Sequence, residues 1–378
     1  MSMPRLFGAY LLLEELEQGS TSEVYLARTV GQFSRLCTVK IFRTELAALP
    51  EFQRRFRQDA ALLVRLIHGN LVQILEVGQA EDRYFIAMEH VDGVTLSGLL
   101  AEAGEQDEAL PTELALFVGL ELCEVLSYIT LRRREVEGRA AFSADSPWPL
   151  ELMLSFDGVL KVIDLGSFGA VRLGAQKVSR LFQSPGYAVP EVILKKELDA
   201  RADIFAVGMV VWQLLQGRQL VAGNPTGYVR QVMAGDWKAP LITRKDVSGE
   251  IIRAVATMLS LDPARRPRSL EEARDPLVNA LRRLAPSFGS GALSGLLMRR
   301  CPGQLGRADE IVARAMDRGN GSTEPSDRGG ASSRSFGLAG EVDREIGEPV
   351  KLEVGKVIPG TRYKMVSLLG KGWTGKVY

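Results

Sequence analysis

Up to about His90 the apolar residues of this chain fall mostly into short alternating runs, and beyond it they recur at every third and fourth position. That change of period constrains the fold most: a small strand-rich part has to join a larger helical part. Residues 8–48 carry "YLLLEEL", "EVYLA" and "CTVKIF", the pattern of half-buried antiparallel strands. From Pro50, "EFQRRFRQDAALLVRLI" puts Phe52, Phe56, Ala60, Leu63 and Ile67 on one face of a helix. Two further strand-like runs, "LVQILEVG" and "RYFIAMEHV", complete the first part. Behind Pro111 the helical part opens with the stripe Leu114, Val118, Leu122, Val125 and Ile129. Within it, "ADIFAVGMVVWQLLQG" is apolar nearly all round, so it is expected to be the buried spine, capped at Asp203 and stopped at Gly217.

Composition removes several functional classes. Lys and Arg number 47 against 46 Asp and Glu, a net charge of +1, so no global field favours nucleic acid or an anionic membrane. Cys37, Cys123 and Cys301 are odd in number and far apart, which argues against a disulfide framework or a zinc site and points to a reducing cytoplasm. With only His68 and His90, a multi-histidine metal site or a His-based triad is a poor fit. The longest apolar run, Ile204 to Leu215, is well short of the roughly 20 residues a membrane helix needs. After Leu13, Glu14 and Glu15 follow at once without a small-residue cleavage site, so no signal peptide is expected.

Asp157-Gly158 in "LMLSFDGVLKVID" is flanked by alternating apolar residues and predicts a two-residue hairpin with Glu151 and Asp164 at its ends. From Asp317 to Glu348 the chain is rich in Gly, Ser, Arg and Glu, as flexible linkers are. Beyond it, "GTRYKMVSLLGKGWTGKVY" aligns without a gap on "GAYLLLEELEQGSTSEVY". Tyr10, Leu16, Gly19, Thr21, Val24 and Tyr25 then match Tyr363, Leu369, Gly372, Thr374, Val377 and Tyr378.

Gly370, Gly372 and Gly375 form G-x-G-x-x-G between two apolar runs, a turn that brings backbone N–H groups close to phosphate oxygens. In the first copy Glu17 and Ser22 replace the outer glycines and leave Gly19, a poorer phosphate cover. A lone strand lysine such as Lys40 is ordinarily a solvated face residue, and Asp164 alone reads as a hairpin-end turn residue. Their order changes that: Val24-Tyr25, then Val39-Lys40 on a strand, Asp59 on a helix, "HGN" at His68 to Asn70, and "DLG" opening at Asp164, where a carboxylate can hold Mg²⁺ with nucleotide phosphates.

In this order and spacing, residues 8 to about 280 resemble a protein kinase domain of the bacterial serine/threonine type. The resemblance rests on the loop Glu17 to Tyr25, Lys40, Met88-Glu89-His90-Val91, "DLG", "VPE" at Val189 to Glu191, "DIFAVGMVVW" from Asp203 and "DPARRP" around Arg266. It implies an α+β, protein-kinase-like two-lobed fold, with a small antiparallel sheet lobe carrying one helix (8–90) and a larger helical lobe (91–285). A tail and flexible linker (286–356) would follow, then the truncated start of a second kinase domain (357–378), which 22 residues cannot fold alone and which is expected to be disordered or packed opportunistically. The gene is expected to be truncated, split or incompletely represented.

By the same resemblance, ATP and Mg²⁺ are the cofactors and a protein substrate or partner kinase is the partner. No nucleic acid or membrane segment is implied. Lys40 would pair with phosphates and with Asp59, which stands where the family has the longer Glu. Met88 would be the gatekeeper, Glu89 to Val91 would offer backbone groups to adenine, and Val24, Thr38 and Met153 would sandwich its ring, although all three also read as plain core. Gly19 would lie over the phosphates and Asp164 would bind metal. Glu191 with Arg266, and Asp203, would be structural braces.

The main departure lies between Ala141 and Leu154, where the family reads H-R-D, four residues, then N. Here "AFSADSPWPLELML" puts Glu151 at the Asn position, as a possible metal ligand, and Ser146 or Ala144 at the Asp position. Asp145 serves as base only if the loop is displaced by one residue. Ser167, Ser179 and Ser184 lack the usual Arg partner and are not read as regulatory sites. Arg132 to Arg134, followed by Glu135 and Glu137, read as a solvated helix end. The expected function is a pseudokinase or strongly impaired kinase acting as a regulatory or scaffolding module. Two alternatives remain: an active atypical serine/threonine kinase, and an interaction domain that binds no nucleotide.

Overall fold

Strand alternation in the first part closes into a sheet. The computed structural model describes residues 3–19, 21–31, 34–106, 108–137, 152–163, 188–197, 199–221, 225–320, 334–335, 370–371 and 376–377. Strands β1 (Arg5–Phe7), β2 (Tyr10–Gln18), β3 (Ser22–Thr29), β4 (Leu36–Phe42), β5 (Ile74–Ala80) and β6 (Arg83–Glu89) form an antiparallel sheet in the order β1-β2-β3-β4-β6-β5. A short strand, β10 (Arg334–Ser335), pairs with the outer edge of β5. The small lobe starts earlier than residue 8, because Phe7 on β1 is fully buried against Tyr10 and Phe85. A one-turn helix, α1 (Thr44–Ala47), leads into α2 (Pro50–Leu63), which buries Phe52, Phe56, Asp59, Ala60 and Leu63. Since α2 ends at Leu63, Ile67 drops off the predicted stripe and is 80% exposed.

The large lobe opens with β7 (Gly93–Thr95), which pairs with β8 (Leu152–Ser155), itself paired with β9 (Leu160–Val162). The hairpin loop is one residue longer than predicted. Leu154 pairs with Leu160, and Gly158 donates its N–H to the Ser155 carbonyl at 2.8 Å. Gly158 takes φ 79°, the left-handed conformation that a three-residue loop ending in a bulge demands.

Helices α3 (Leu96–Gln106), α4 (Thr112–Glu137), α5 (Pro190–Ile193), α6 (Ala200–Gln216), α7 (Pro225–Ala234), α8 (Gly249–Met258) and α9 (Leu270–Leu284) build the rest. The α4 stripe is buried as its spacing predicts, and α6 is the spine, buried from Ala202 to Leu215 and stopped by left-handed Gly217. Its cap is Asp199, whose carboxylate accepts the Arg201 N–H, and not Asp203, which lies fully buried in the first turn. By length and composition α4 also passes as a membrane span, yet its apolar stripe is packed in the core of this lobe. Arg132, near its end, is exposed, with its guanidinium over the Tyr128 ring. Burial pushes the Cys37 and Cys123 thiols up to about 12, so both behave as small apolar groups.

Residues 290–320, at the start of the segment read as tail and linker, carry helices α10 (Ser290–Arg300) and α11 (Arg307–Asn320). Residues 1–336 form one unit and 337–378 another. In the second, Gly370–Lys371 pairs antiparallel with Lys376–Val377.

Candidate functional site: a cleft-facing row of side chains and a clamped hinge

Residues opposite one another on adjacent strands share a face of the sheet. Val24 stands opposite Lys40, and Lys40 opposite Ile86. One row along, Leu26 stands opposite Thr38, and Thr38 opposite Met88. Val24, Thr38, Lys40 and Met88 are thereby gathered on one face. The alternate residues Tyr25, Val39 and Ala87 lie on the other face, sealed with Phe7, Tyr10 and Phe85. Glu17 pairs with Val24 and brings its carboxylate to the same edge of the cleft face.

Lys40 is half-buried, with Nζ 5.9 Å from the Phe42 ring centroid. Phe42 packs on Phe52 and Phe56 of α2, and Asp59 follows Phe56 by one helical turn and is buried. The glycine turn is held from outside. Gly19 donates to the Ser22 carbonyl at 2.9 Å, and its own carbonyl accepts Nε and Nη2 of Arg43 at 3.0 and 2.8 Å.

The hinge runs from the end of β6 into β7. Lys161 of β9 donates from Nζ to Glu89 Oε1 at 2.7 Å and to the Leu71 carbonyl at 3.4 Å. The same Oε1 accepts the Gln73 N–H at 3.0 Å. Lys161 stands opposite Met153 on β8, so Met153 shares the face that meets the hinge, while Leu152 and Leu154 point into the core. Thr38 Oγ1 and His90 Nδ1 are 3.2 Å apart, and Val91 is buried. Burial pushes the His90 imidazole below its ordinary pKa, against the opposing pull of Asp92 and Asp309. Gly93 is obligatory, because a Cβ there would overlap the Leu154 carbonyl oxygen.

Below the cleft, Arg266 makes the predicted buried ion pair with Glu191 at 2.7 Å. It also donates to the carbonyls of Arg201 and Ser260 and lies 4.8 Å from the Phe205 ring centroid. Asp145, Glu151, Asp164, Ser167, Ser179 and Ser184 lie outside the described residues. Sequence reasoning missed Lys161, Gln73 and Arg43. The available signal was a charged residue within the apolar run "VLKVI", whose partner lies 72 positions away.

Residues 10–278 match the protein kinase domain family. The tyrosine-protein kinase MasK of Myxococcus xanthus is 30% identical over 295 residues, 77% of this chain and 46% of that protein. The serine/threonine-protein kinase PknB of Mycobacterium leprae is 27% identical over 285 residues, 73% of this chain and 43% of that protein. Among solved structures, the PknI kinase domain of Mycobacterium tuberculosis aligns with a TM-score of 0.56 at 21% identity, over 74% of this chain and 98% of its own length. The chain spans less than half the length of these two curated relatives. A curled sheet lobe over a helical lobe, the cleft-facing lysine, the clamped hinge and the Glu191–Arg266 brace agree with that match, and the chain belongs to the protein kinase family.

Proposed function

We propose that this chain is a nucleotide-binding, kinase-like module whose phosphotransfer is strongly impaired and which acts on another protein as a regulator or scaffold. The observation that carries the reading is the placement of Val24, Thr38, Lys40 and Met88 on one sheet face beside a hinge clamped by Lys161. That face sets apolar Val24 and Met88 beside Thr38, a chemistry suited to a purine, with Lys40 toward its phosphates. Mg²⁺ would be held by Asp164 and Glu151, and supplies charge neutralisation at the phosphates. Impairment follows from the sequence between Ala141 and Leu154, which lacks the family's Asp at the base position. A positioned base contributes about 10² to 10⁴ in rate and kinases turn over at about 1–100 s⁻¹, so a residual rate on the order of 10⁻⁴ to 1 s⁻¹ is expected. Glu17 at the cleft edge adds repulsion toward phosphate.

The relatives named as kinases favour a second reading, an active enzyme using Asp145 as base and protein hydroxyls as acceptor. In either case the pairs Gly370↔Val377 and Lys371↔Lys376 repeat the register of Glu17↔Val24 and Gln18↔Glu23, which supports reading residues 357–378 as the opening of a second kinase-like domain.

Thermal shift with Mg-ATP tests the nucleotide claim, since ligand at about 100 times its dissociation constant stabilises by about 2.7 kcal/mol. The shift is expected in the native chain and lost in Lys40→Ala. No shift at millimolar Mg-ATP, in protein shown to be folded, removes both nucleotide readings and leaves an interaction domain. Phosphate incorporation at an ordinary kinase rate, abolished in Asp164→Ala and in Asp145→Ala, establishes the second reading over the first.

A further inference from the structure

The kinase family match ends at residue 278, yet the ordered chain continues through α10 and α11. These two helices grip different lobes. On the large lobe, Leu293, Leu296 and Leu297 of α10 enter the main core, and Arg300 bonds to Glu102 at 3.3 Å and Glu108 at 2.7 Å. The β8–β9 hairpin presses on the start of α10 so closely that a Cβ on Gly158 would overlap the Ser290 carbonyl.

After left-handed Gly306 the chain turns back. Helix α11 then lays Ala308, Ile311, Val312 and Ala315, spaced as one helical stripe, against Leu13 and Leu26 of the small lobe, with Leu11 and Leu36 at the margin. Arg314 adds an ion pair to Glu14 at 3.2 Å. The surface that α11 covers belongs to the cleft-facing side of the sheet. Leu26 is in the row of Thr38 and Met88, and Leu11 and Leu36 both stand opposite Arg28 in the next row. Adjacent rows are about 7 Å apart, so the helix sits beside the candidate adenine site without entering the row of Val24 and Lys40. Asp309, in its first turn, is close enough to the hinge to act electrostatically on His90 and Asp92.

We infer that α10 and α11 form a strap that runs outside the kinase domain and fixes the angle between the lobes, with α11 as its releasable end. An ordinary kinase hinge lets the small lobe rock over the large one. Here a second connection bridges the same gap from the far end of the domain, and it closes on side chains of the same strands that carry the cleft. Release of α11 frees the lobes. It also raises the ordering cost of closing on a nucleotide, so nucleotide affinity falls. This affinity effect rests on the nucleotide reading given above, whereas the effect on lobe motion does not.

The test uses the full chain with spin labels on exposed positions, Ser34→Cys in the small lobe and Ala256→Cys on α8. The native cysteines are buried and do not compete for label. Ile311, 3% exposed, is changed to Asp. A carboxylate in place of that apolar side chain breaks the packing of α11 on the sheet, so hydrogen exchange in α11 is expected to rise by about 100-fold, and the interlobe distance distribution to broaden. Exchange in α6 and α9 is expected to stay unchanged. An unchanged distribution after α11 has been released overturns the strap.

If Ile311→Asp does not fold, Ala315→Glu at the rim of the same packed surface takes its place. Unprotected α11 amides in the native chain would overturn the inference without any variant. A broadened distribution with no Mg-ATP shift in either protein keeps the strap and removes the nucleotide reading. A broadened distribution with an undiminished Mg-ATP shift overturns the coupling between strap and cleft.

Discussion

The two lobes reach stability by different means. The large lobe is organised around one buried helix, α6, within an apolar core that continues into α2 and the inner side of β6, and a buried ion pair, Glu191–Arg266, ties three of its segments together. The small lobe has a sheet with two working faces, and each is closed by a piece of chain from outside the central strands. Strand β1 and Phe7 seal the outer face, and α11 covers part of the cleft face. Polar links that are only partly buried, Lys161 to Glu89 and Thr38 to His90, join the small lobe to the hinge and to β9. The Glu191–Arg266 brace and the α6 spine therefore lie where side chains are fully packed. The candidate nucleotide face sits on a sheet joined to the hinge by partly exposed polar contacts.

The largest effect expected from this contrast is in the large lobe. Arg266→Ala leaves Glu191 charged and buried, which costs about 3–5 kcal/mol by denaturant unfolding. Replacing both partners with apolar residues of similar volume, Glu191→Leu with Arg266→Met, is expected to recover much of that loss. A cost under about 1 kcal/mol for the single change would mean that the brace is not what distinguishes this lobe. Next comes Gly158→Ala, which combines φ 79° with overlap on the backbone of α10 and is expected to cost about 1–3 kcal/mol. Gly69→Ala in the small lobe, with open space around it, is the control and should change stability by no more than about 0.5 kcal/mol. Equal effects at the two glycines would erase the contrast.

The sequence carried most of what depends on neighbours in the chain. Alternation located the cleft strands, the stripe from Leu114 to Ile129 located α4, and Gly217 ended α6 at a left-handed residue. Local pattern falls short where an element begins outside its apolar run or where the partner is remote. Asp203 stands at the edge of the apolar run, but the helix begins outside that run and is capped four residues earlier by Asp199, leaving Asp203 buried in the first turn. In the hairpin, Asp157-Gly158 signals a tight turn of either length, and the Ser155 hydroxyl, accepting the Val159 N–H, belongs to the longer one. Lys161 and Ile311 were opaque for a stronger reason. Their partners, Glu89 and the Leu13–Leu26 surface, lie tens to hundreds of positions away, where no periodic pattern reaches. Of the candidate site, motif order pointed to Val24, Thr38, Lys40 and Met88, and the sheet register gathers these four on one face. It did not point to the clamps that hold loop and hinge, Arg43 and Lys161.

Lys161→Ala tests the small-lobe side of the comparison. With both side chains of its ion pair partly exposed, the loss is expected to be about 1 kcal/mol or less. It should appear mainly as faster hydrogen exchange at residues 71–73 and 88–91. A change confined to α6 and α9 would place the clamp in the wrong lobe.

A last effect is a pH dependence at the hinge. His90 is held below its ordinary pKa first by burial, with the carboxylates of Asp92 and Asp309 pulling the other way, and Thr38 Oγ1 lies beside Nδ1. The folded protein therefore takes up this proton at lower pH than the unfolded chain. Stability tied to the neutral imidazole is complete above about pH 6.5, the unfolded value, and is lost as pH falls from there toward the folded value. One group changes stability by at most about 1.4 kcal/mol per pH unit, so the thermal midpoint should slope gently downward from pH 7.5 to 5.5. His90→Gln keeps a hydrogen-bonding group near Thr38 and removes the titration, and it should flatten that slope relative to the native chain. If the variant and the native protein lose stability in parallel over this interval, His90 is not the group responsible. The hinge would then owe its stability to the Lys161–Glu89 clamp and to apolar contacts, neither of which titrates through His90.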